Sequence, residues 1–360
     1  MAKGRWQILD FFRGVAIICV VLDHCFAWVN PPTPIADYKR WLIFSTGPLF
    51  FLAGITFALS FYSRLPKFIT QPCHGIGYLK QYFVYVGKKA NKLVGAYLLA
   101  MLLITSWQEN FSLSWYFHQV LTFPHQFYFI SIYLQLLLVA PLISYSWVFY
   151  QHKFNFSLPQ VLVWGNLVYL TMALAANTWP ILAATWWRPA QLLGGGIQLW
   201  LFSLGTCFTY AYLHGCFNEK KFSPALALCL GITGIAVVKF TPINQHIFAH
   251  PPNFYTIFYL VGVLVLLWGI YQYQAASLIV KPISFLGKNS LSIFLYHSFF
   301  MEKIYQNLSF FTTHHFKWQL AILAILSTAA SLLWWLGLTR VWQLGKFLLN
   351  SHQSSRYRLK

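Results

Sequence analysis

The sequence predicts an all-α fold: a polytopic membrane protein of about ten transmembrane helices, with both termini cytoplasmic. Three observations carry this expectation. Of the 360 residues, 58% are hydrophobic and 9% charged, with a mean hydropathy of +0.56, whereas soluble domains carry about 25% charged residues. Apolar runs of about 17–23 residues recur along the chain, the length that a hydrocarbon core of about 30 Å requires. The basic residues between those runs are distributed unevenly. With the N-terminus inside, eighteen of the 25 lysines and arginines fall on the cytoplasmic side and six on the other, leaving Arg13 within the first run. That asymmetry is the positive-inside pattern.

The first run covers 11–29 and ends before Pro31 and Pro32 without a small-residue cleavage site, so it reads as a retained span and not a signal peptide. A second run covers 41–61. The longest connection, 62–92, is basic, and its stretch "YLKQYFVYVGKKANK" has the composition of an interfacial helix. The third run, 93–107, is short, and its start can lie earlier, near Phe83. Seven more follow at 127–148, 160–176, 194–213, 223–240, 254–271, 290–306 and 318–338. No connection is long enough for a separate soluble domain, so residues 1–360 are expected to form a single membrane domain. The Gly194-Gly195-Gly196 run has no counterpart in the other half, whereas an inverted-repeat transporter should show paired broken helices.

Composition also excludes several classes. The net charge of +19 sits between apolar runs and sets topology, so no nucleic-acid partner is expected. Six cysteines form no CxxC pair, which argues against a disulfide framework or a zinc site. His118, His125 and Glu109 share one connection without metal-ligand spacing, and no metal is expected.

The first span is unusual because it carries Asp10, Arg13, Asp23 and His24. Each ionisable group at the centre of a span costs roughly 2.5–3.5 kcal/mol and marks a functional candidate. Arg13 and His24 are eleven residues apart, which on a helix means about 20° in azimuth and about 16 Å in depth. They share a face, with Arg13 near the cytoplasmic surface. Asp10 is one turn before Arg13 and can pair with it. Asp23 points about 100° away from His24 and suits a packing partner on another helix. The arrangement fits one long ligand, its anionic head at Arg13 and its reactive end at His24, where an imidazole is the usual general base near neutral pH. The plainer reading is a buried histidine and a snorkelling arginine that hold helices together.

The stretch "DFFRGVAIICVVLDH" (10–24) resembles the first helix of the acyltransferase-3 family of integral membrane acyltransferases. "GPLFFLAGITFAL" (47–59), "FYFISIYLQLLLVAPLI" (127–143) and "FLGKNSLSIFLYH" (285–297) resemble the family's second, fourth and a late helix, in order. Two departures stand out: Ala53 precedes Gly54 where the family usually has serine, and Lys88, Lys89 and Lys92 stand where arginines are common. Lysine supplies charge to a phosphate but no bidentate fork.

The resemblance implies transfer of an acyl group, usually acetyl, from cytoplasmic acyl-CoA to a hydroxyl of an envelope glycan or lipid-linked glycan. It implies His24 as the base on the acceptor hydroxyl and Arg13 as a donor-orienting group. Acyl-CoA, probed first as acetyl-CoA, is then a donor substrate and not a permanently bound cofactor. A stand-alone member of this kind implies O-acetylation of surface polysaccharide, lipopolysaccharide O-antigen or exopolysaccharide, in a bacterial inner membrane.

Other residues have two readings each. Lys288 precedes the helix starting "NSLSIF", which Asn289 or Ser290 could cap, and a helix N-terminus with an adjacent lysine suits a phosphate. Like Lys88, Lys89 and Lys92, it also serves as a positive-inside anchor. His297, beside Tyr296, can line the chamber, orient the acceptor or be a satisfied core histidine. Glu302 can meet an acceptor sugar. Trp186, Trp187 and Arg188 form an outer rim suited to stacking on sugars, or belong to the aromatic belt. Two further classes share these features: an exporter of a polysaccharide or lipid-linked intermediate, with the charges as a proton relay, and a heparan-glucosaminide-type membrane N-acetyltransferase.

Overall fold

A computed structural model of the chain describes residues 7–32, 42, 46–64, 76–108, 111–123, 127–178, 197–215, 223–240, 254–273, 277–308, 311 and 315–357. Among the described residues there is no strand, and the helices are α1 (Gln7–Val29), α2 (Thr46–Tyr62), α3 (Ile76–Ser106), α4 (Leu113–Thr122), α5 (Tyr128–Lys153), α6 (Leu158–Thr178), α7 (Ile197–Leu213), α8 (Pro224–Phe240), α9 (Phe254–Gln272), α10 (Ser277–Lys288), α11 (Ser290–Asn307) and α12 (Phe316–Tyr357). Three helices are long and apolar enough to cross a membrane by themselves: Gln7–Val29, Phe129–Lys153 and Phe316–Leu344. α10 and α11 meet at a 79° bend and qualify as a fourth if taken as one broken span.

Local sequence explains several boundaries. Asp10 in the first turn of α1 favours the positive helix start. Beyond its last turn Asn30 turns left-handed, its N–H donating to the Phe26 carbonyl at 3.1 Å. Ser112 caps α4 by accepting from the Trp115 N–H at 3.1 Å. At the start of α6 the Ser157 N–H donates to Gln160 Oε1 at 2.9 Å, the back half of a capping box.

Every expected span overlaps a helix, and the structure extends the pattern in four places. The stretch "YLKQYFVYVGKKANK" is no separate interfacial helix: it forms the first half of one continuous α3. The last helix runs on to Tyr357, past the apolar segment. α4 and α10 were not anticipated, because each is short and amphipathic and so gives no hydropathy peak of spanning length.

α5 is over half buried along its spanning window, whereas α12 is mostly exposed. Burying apolar side chains gives helices no solvent-driven attraction inside lipid, so close packing and interhelical hydrogen bonds must hold them. The α2–α7 crossing shows the first. A methyl group added at Gly54 would fall on the Phe202 carbonyl, and one at Gly205 on the Phe51 carbonyl. The second appears where buried Trp147 of α5 donates to Thr206 Oγ1 of α7 at 2.8 Å, and where the Tyr62 hydroxyl donates to the Ser144 carbonyl at 2.7 Å.

α10 lies against the start of α1 in the same manner. A methyl at Gly14 would meet the Ile283 carbonyl, and one at Gly287 the Asp10 carbonyl. From this crossing α1 continues ten residues to His24, while the chain turns through the 79° bend into α11, whose His297 lies beside His24.

Candidate active site

α1 presents Arg13 and His24, both half-buried. Arg13 Nη1 lies 3.4 Å from Asp10 Oδ1 one turn earlier, and the Asp10 side chain is 7% exposed. The pairing expected from the i, i+3 spacing is therefore formed. Across from Arg13 stands Tyr133 of α5, within electrostatic reach of both Arg13 and Tyr85 of α3. Tyr85 in turn carries two cations against its ring: the Arg64 guanidinium carbon at 5.2 Å and Lys89 Nζ at 5.8 Å from the centroid. Its hydroxyl and Ser60 Oγ are 3.2 Å apart. Arg64, Tyr85, Tyr133 and Arg13 thus form a polar track from the basic first half of α3 to α1.

Lys89 is half-buried on that track, whereas Lys88 and Lys92 are exposed. Burial, with Arg64 and then Lys92 as like-charged neighbours, holds the Lys89 ammonium below the usual lysine pKa.

At the other end of α1, His24 meets α11. Ser298 Oγ lies 3.3 Å from His24 Nδ1 and 3.3 Å from His297 Nε2. The two imidazoles stand edge to face with centroids 4.9 Å apart. His297 is fully buried, and its Nδ1 donates to the carbonyls of Ile293 at 2.9 Å and Phe294 at 3.0 Å. Phe294 packs on Phe129 of α5, their ring centroids 5.3 Å apart.

The remaining expected residues are placed as follows. Tyr296 is buried on another face of α11, its ring 6.4 Å from Trp335 of α12, and so does not join His24. Asp23 is half-buried within electrostatic reach of Cys19 on its own helix. Glu302 lies one turn beyond Ser298 on α11, accepting from Gln306 Nε2 at 3.4 Å. Trp186, Trp187 and Arg188 lie outside the described residues.

The α10–α11 junction corrects one expectation. Asn289 stands at the cap position of α11 without a side-chain cap hydrogen bond. Its Nδ2 instead donates back to the Phe285 carbonyl at 2.9 Å and closes the end of α10. Lys288, exposed, belongs to the last turn of α10, and Ser290 begins α11. The α11 N-terminus thus follows another helix at a 79° bend and not a loop.

Four residues of this constellation escape sequence reading: Arg64, Tyr85, Tyr133 and Ser298. Only Ser298 leaves a local signal, a hydroxyl next to a histidine within a span. An apolar cleft of about 360 Å³ also opens between α1, α10 and α12, lined by Ile18, Leu22, Leu286, Ile325 and Leu332. It lies on a different face of α1 from Arg13 and His24.

Spanning helices, with an arginine and an imidazole on one of them, make a membrane protein with ionisable groups suited to acid–base chemistry. The chain belongs to the acyltransferase-3 family, whose description is "acyltransferase domain", matched over residues 6–340. It is a membrane acyltransferase in that general sense. No curated protein and no solved structure matches it.

Proposed function

We propose that the protein is an O-acyltransferase that moves an acetyl or other short acyl group from cytoplasmic acyl-CoA to a hydroxyl of an envelope glycan. The observation that carries this is the arrangement of α1. One end, with Arg13, adjoins the cationic track through Tyr133, Tyr85, Arg64 and Lys89. The other end presents His24, about 16 Å deeper. A nucleotide-linked thioester has the same polarity: a polyanionic head, a long neutral arm and a reactive carbonyl at its tip.

In this reading Arg64, Lys88, Lys89 and Lys92 hold the phosphates, with Lys288 flanking them, and Arg13, steadied by Asp10, orients the arm where it enters. Cations suit phosphates by charge, and guanidinium adds two parallel donors. His24 takes the acceptor hydroxyl's proton as the oxygen attacks the thioester carbonyl. The carbon–sulfur bond then breaks, and the departing CoA thiolate takes that proton from His24. Arg13 and His24 are the catalytic pair; Asp10, Asp23, His297 and Tyr296 support the helices that carry them.

In this reading the chain has ten spans in one domain over 1–360, with both termini cytoplasmic as the charge distribution favours; a bacterial inner membrane is what the family resemblance implies. Glu302, one turn past Ser298, and Trp186, Trp187 and Arg188 then fall on the acceptor side. The acceptor class is surface polysaccharide, lipopolysaccharide O-antigen or exopolysaccharide.

The test is mass spectrometry of envelope glycans from three strains: one lacking the protein, one with wild type, and one with His24→Ala at equal membrane abundance. An acetyl-sized increment with wild type alone is the expected result. Glycan that reaches the surface unmodified in every strain overturns the acceptor assignment. Loss of surface glycan itself in the deletion strain moves the exporter reading ahead, and an increment on an amine points to N-acetyl transfer.

A further inference from the structure

We infer that Ser298 is a positioning residue that fixes which nitrogen of His24 reacts, by joining it to His297. The inference rests on the reading of His24 as the general base. The direction of every hydrogen bond in this chain follows from its far end. His297 Nδ1 faces two backbone carbonyls, Ile293 at 2.9 Å and Phe294 at 3.0 Å. Carbonyl oxygens only accept, so Nδ1 carries a proton. In the neutral ring Nε2 then carries none and must accept.

What faces Nε2 at 3.3 Å is Ser298 Oγ. A serine hydroxyl has one hydrogen, and an unprotonated His297 Nε2 assigns that hydrogen to itself. Toward His24 Nδ1, also at 3.3 Å, the same oxygen presents a lone pair. His24 Nδ1 is therefore the protonated nitrogen, and the basic lone pair lies on Nε2. Two main-chain carbonyls of α11 thus dictate the tautomer of a side chain on α1, with one hydroxyl as the link. The edge-to-face placement of the rings, 4.9 Å apart, leaves Ser298 bridging both.

The arrangement survives the proton transfers. When His24 Nε2 takes the acceptor hydroxyl's proton, Nδ1–H still donates to Ser298, whose lone pair faces the new imidazolium. When Nε2 returns the proton to the thiolate sulfur, the starting state is restored without any change at Ser298 or His297. Loss of this link removes the oxygen that favours a proton on Nδ1, so the share of His24 in the competent tautomer falls.

The experiment uses the full-length protein in native membranes, with radiolabelled acetyl-CoA as donor and the membranes' own glycans as acceptor. A second readout is the imidazole ¹⁵N spectrum of the purified protein in lipid, with His24 assigned by its loss in His24→Gln. Ser298→Ala is expected to lower kcat about tenfold to a hundredfold, the range for a hydrogen bond to a charged group. KM for acetyl-CoA stays unchanged, and Ser298→Thr, which keeps the hydroxyl, retains most activity. In the spectrum, His24 Nε2 is unprotonated in wild type and Ser298→Thr, and mixed in Ser298→Ala. Ser298→Cys, similar in volume with far weaker hydrogen bonding, takes the place of alanine if that variant does not fold.

Wild-type kcat in Ser298→Ala, or an unchanged His24 tautomer, overturns the inference. Full acyl transfer by His24→Gln overturns the general-base reading instead, while the spectrum still decides whether Ser298 sets the tautomer.

Discussion

At the residue scale, the most telling local arrangement is two cations against one tyrosine. Arg64 and Lys89 both approach the Tyr85 ring, and Lys89 has Arg64 and Lys92 as its charged neighbours. Like charges held together repel, and an arriving phosphate relieves that repulsion. The lowered pKa of Lys89 gives this a pH signature. An ordinary lysine keeps its proton up to about the reference value of 10.5, whereas Lys89 loses its own at lower pH. The charged form is the disfavoured one in the fold, so its strain on stability is present at neutral pH and fades as pH rises through the lowered pKa. Donor affinity moves the other way: it is full at neutral pH and falls through the same window. Calorimetric titration with desulpho-CoA, which has no thiol to ionise, should show binding weakened by about tenfold as Lys89 deprotonates, the worth of one charged contact. Lys89→Arg, which keeps its charge, should flatten that alkaline fall; an identical fall in the variant would remove Lys89 from the donor site. The Asp10–Arg13 pair and the shared face of Arg13 and His24 were legible beforehand because helical spacing alone decides them. The Tyr85 cluster and Ser298 were not, since each depends on which helices become neighbours.

At the element scale, the crossing of α1 and α10 sets the register of the whole site. Gly14 and Gly287 let main chain meet main chain there, and beyond the bend α11 brings His297 edge to face with His24. A larger side chain at either position must push the helices apart. Gly14→Val or Gly287→Val is expected to cost roughly 1–3 kcal/mol, the usual range for overpacking, seen as a lower unfolding midpoint in detergent, and to separate the imidazoles. Gly95→Ala and Gly337→Ala are the controls, because a methyl there meets nothing within 4 Å. They should leave the midpoint unchanged or raise it slightly through better helix propensity. Equal losses in all four variants would mean that the crossing has no special role. Hydropathy located the apolar part of each long helix because lipid burial is a property of each segment by itself, but not the polar first half of α3 or the end of α12. It missed α4 and α10, whose twelve or fewer residues are amphipathic. It also could not foresee that Asn289 would close α10 instead of capping α11.

At the scale of the whole molecule, the proposed chemistry requires that the two ends of α1 face different compartments. Acyl-CoA is made in the cytoplasm, and a surface glycan is assembled or displayed beyond it, so the cationic track and the His24 end must open to opposite sides. The excess of basic residues on one side predicts which is which: Arg64, Lys88 and Lys288 inside, Glu302 and the segment of Trp186 outside. This can be measured without any knowledge of the acceptor. Single cysteines placed at Lys88, Lys288, Glu302 and Trp186 in a cysteine-free background are exposed to a membrane-impermeant maleimide, in intact spheroplasts and in inverted vesicles. Lys88→Cys and Lys288→Cys should label only in inverted vesicles, and Glu302→Cys and Trp186→Cys only in spheroplasts. All four labelling from one face would remove transmembrane acyl transfer, because donor and acceptor would then share a compartment. The reverse pattern would leave the spans intact but place the cationic track where no acyl-CoA is available, and Arg13 would need another anionic ligand.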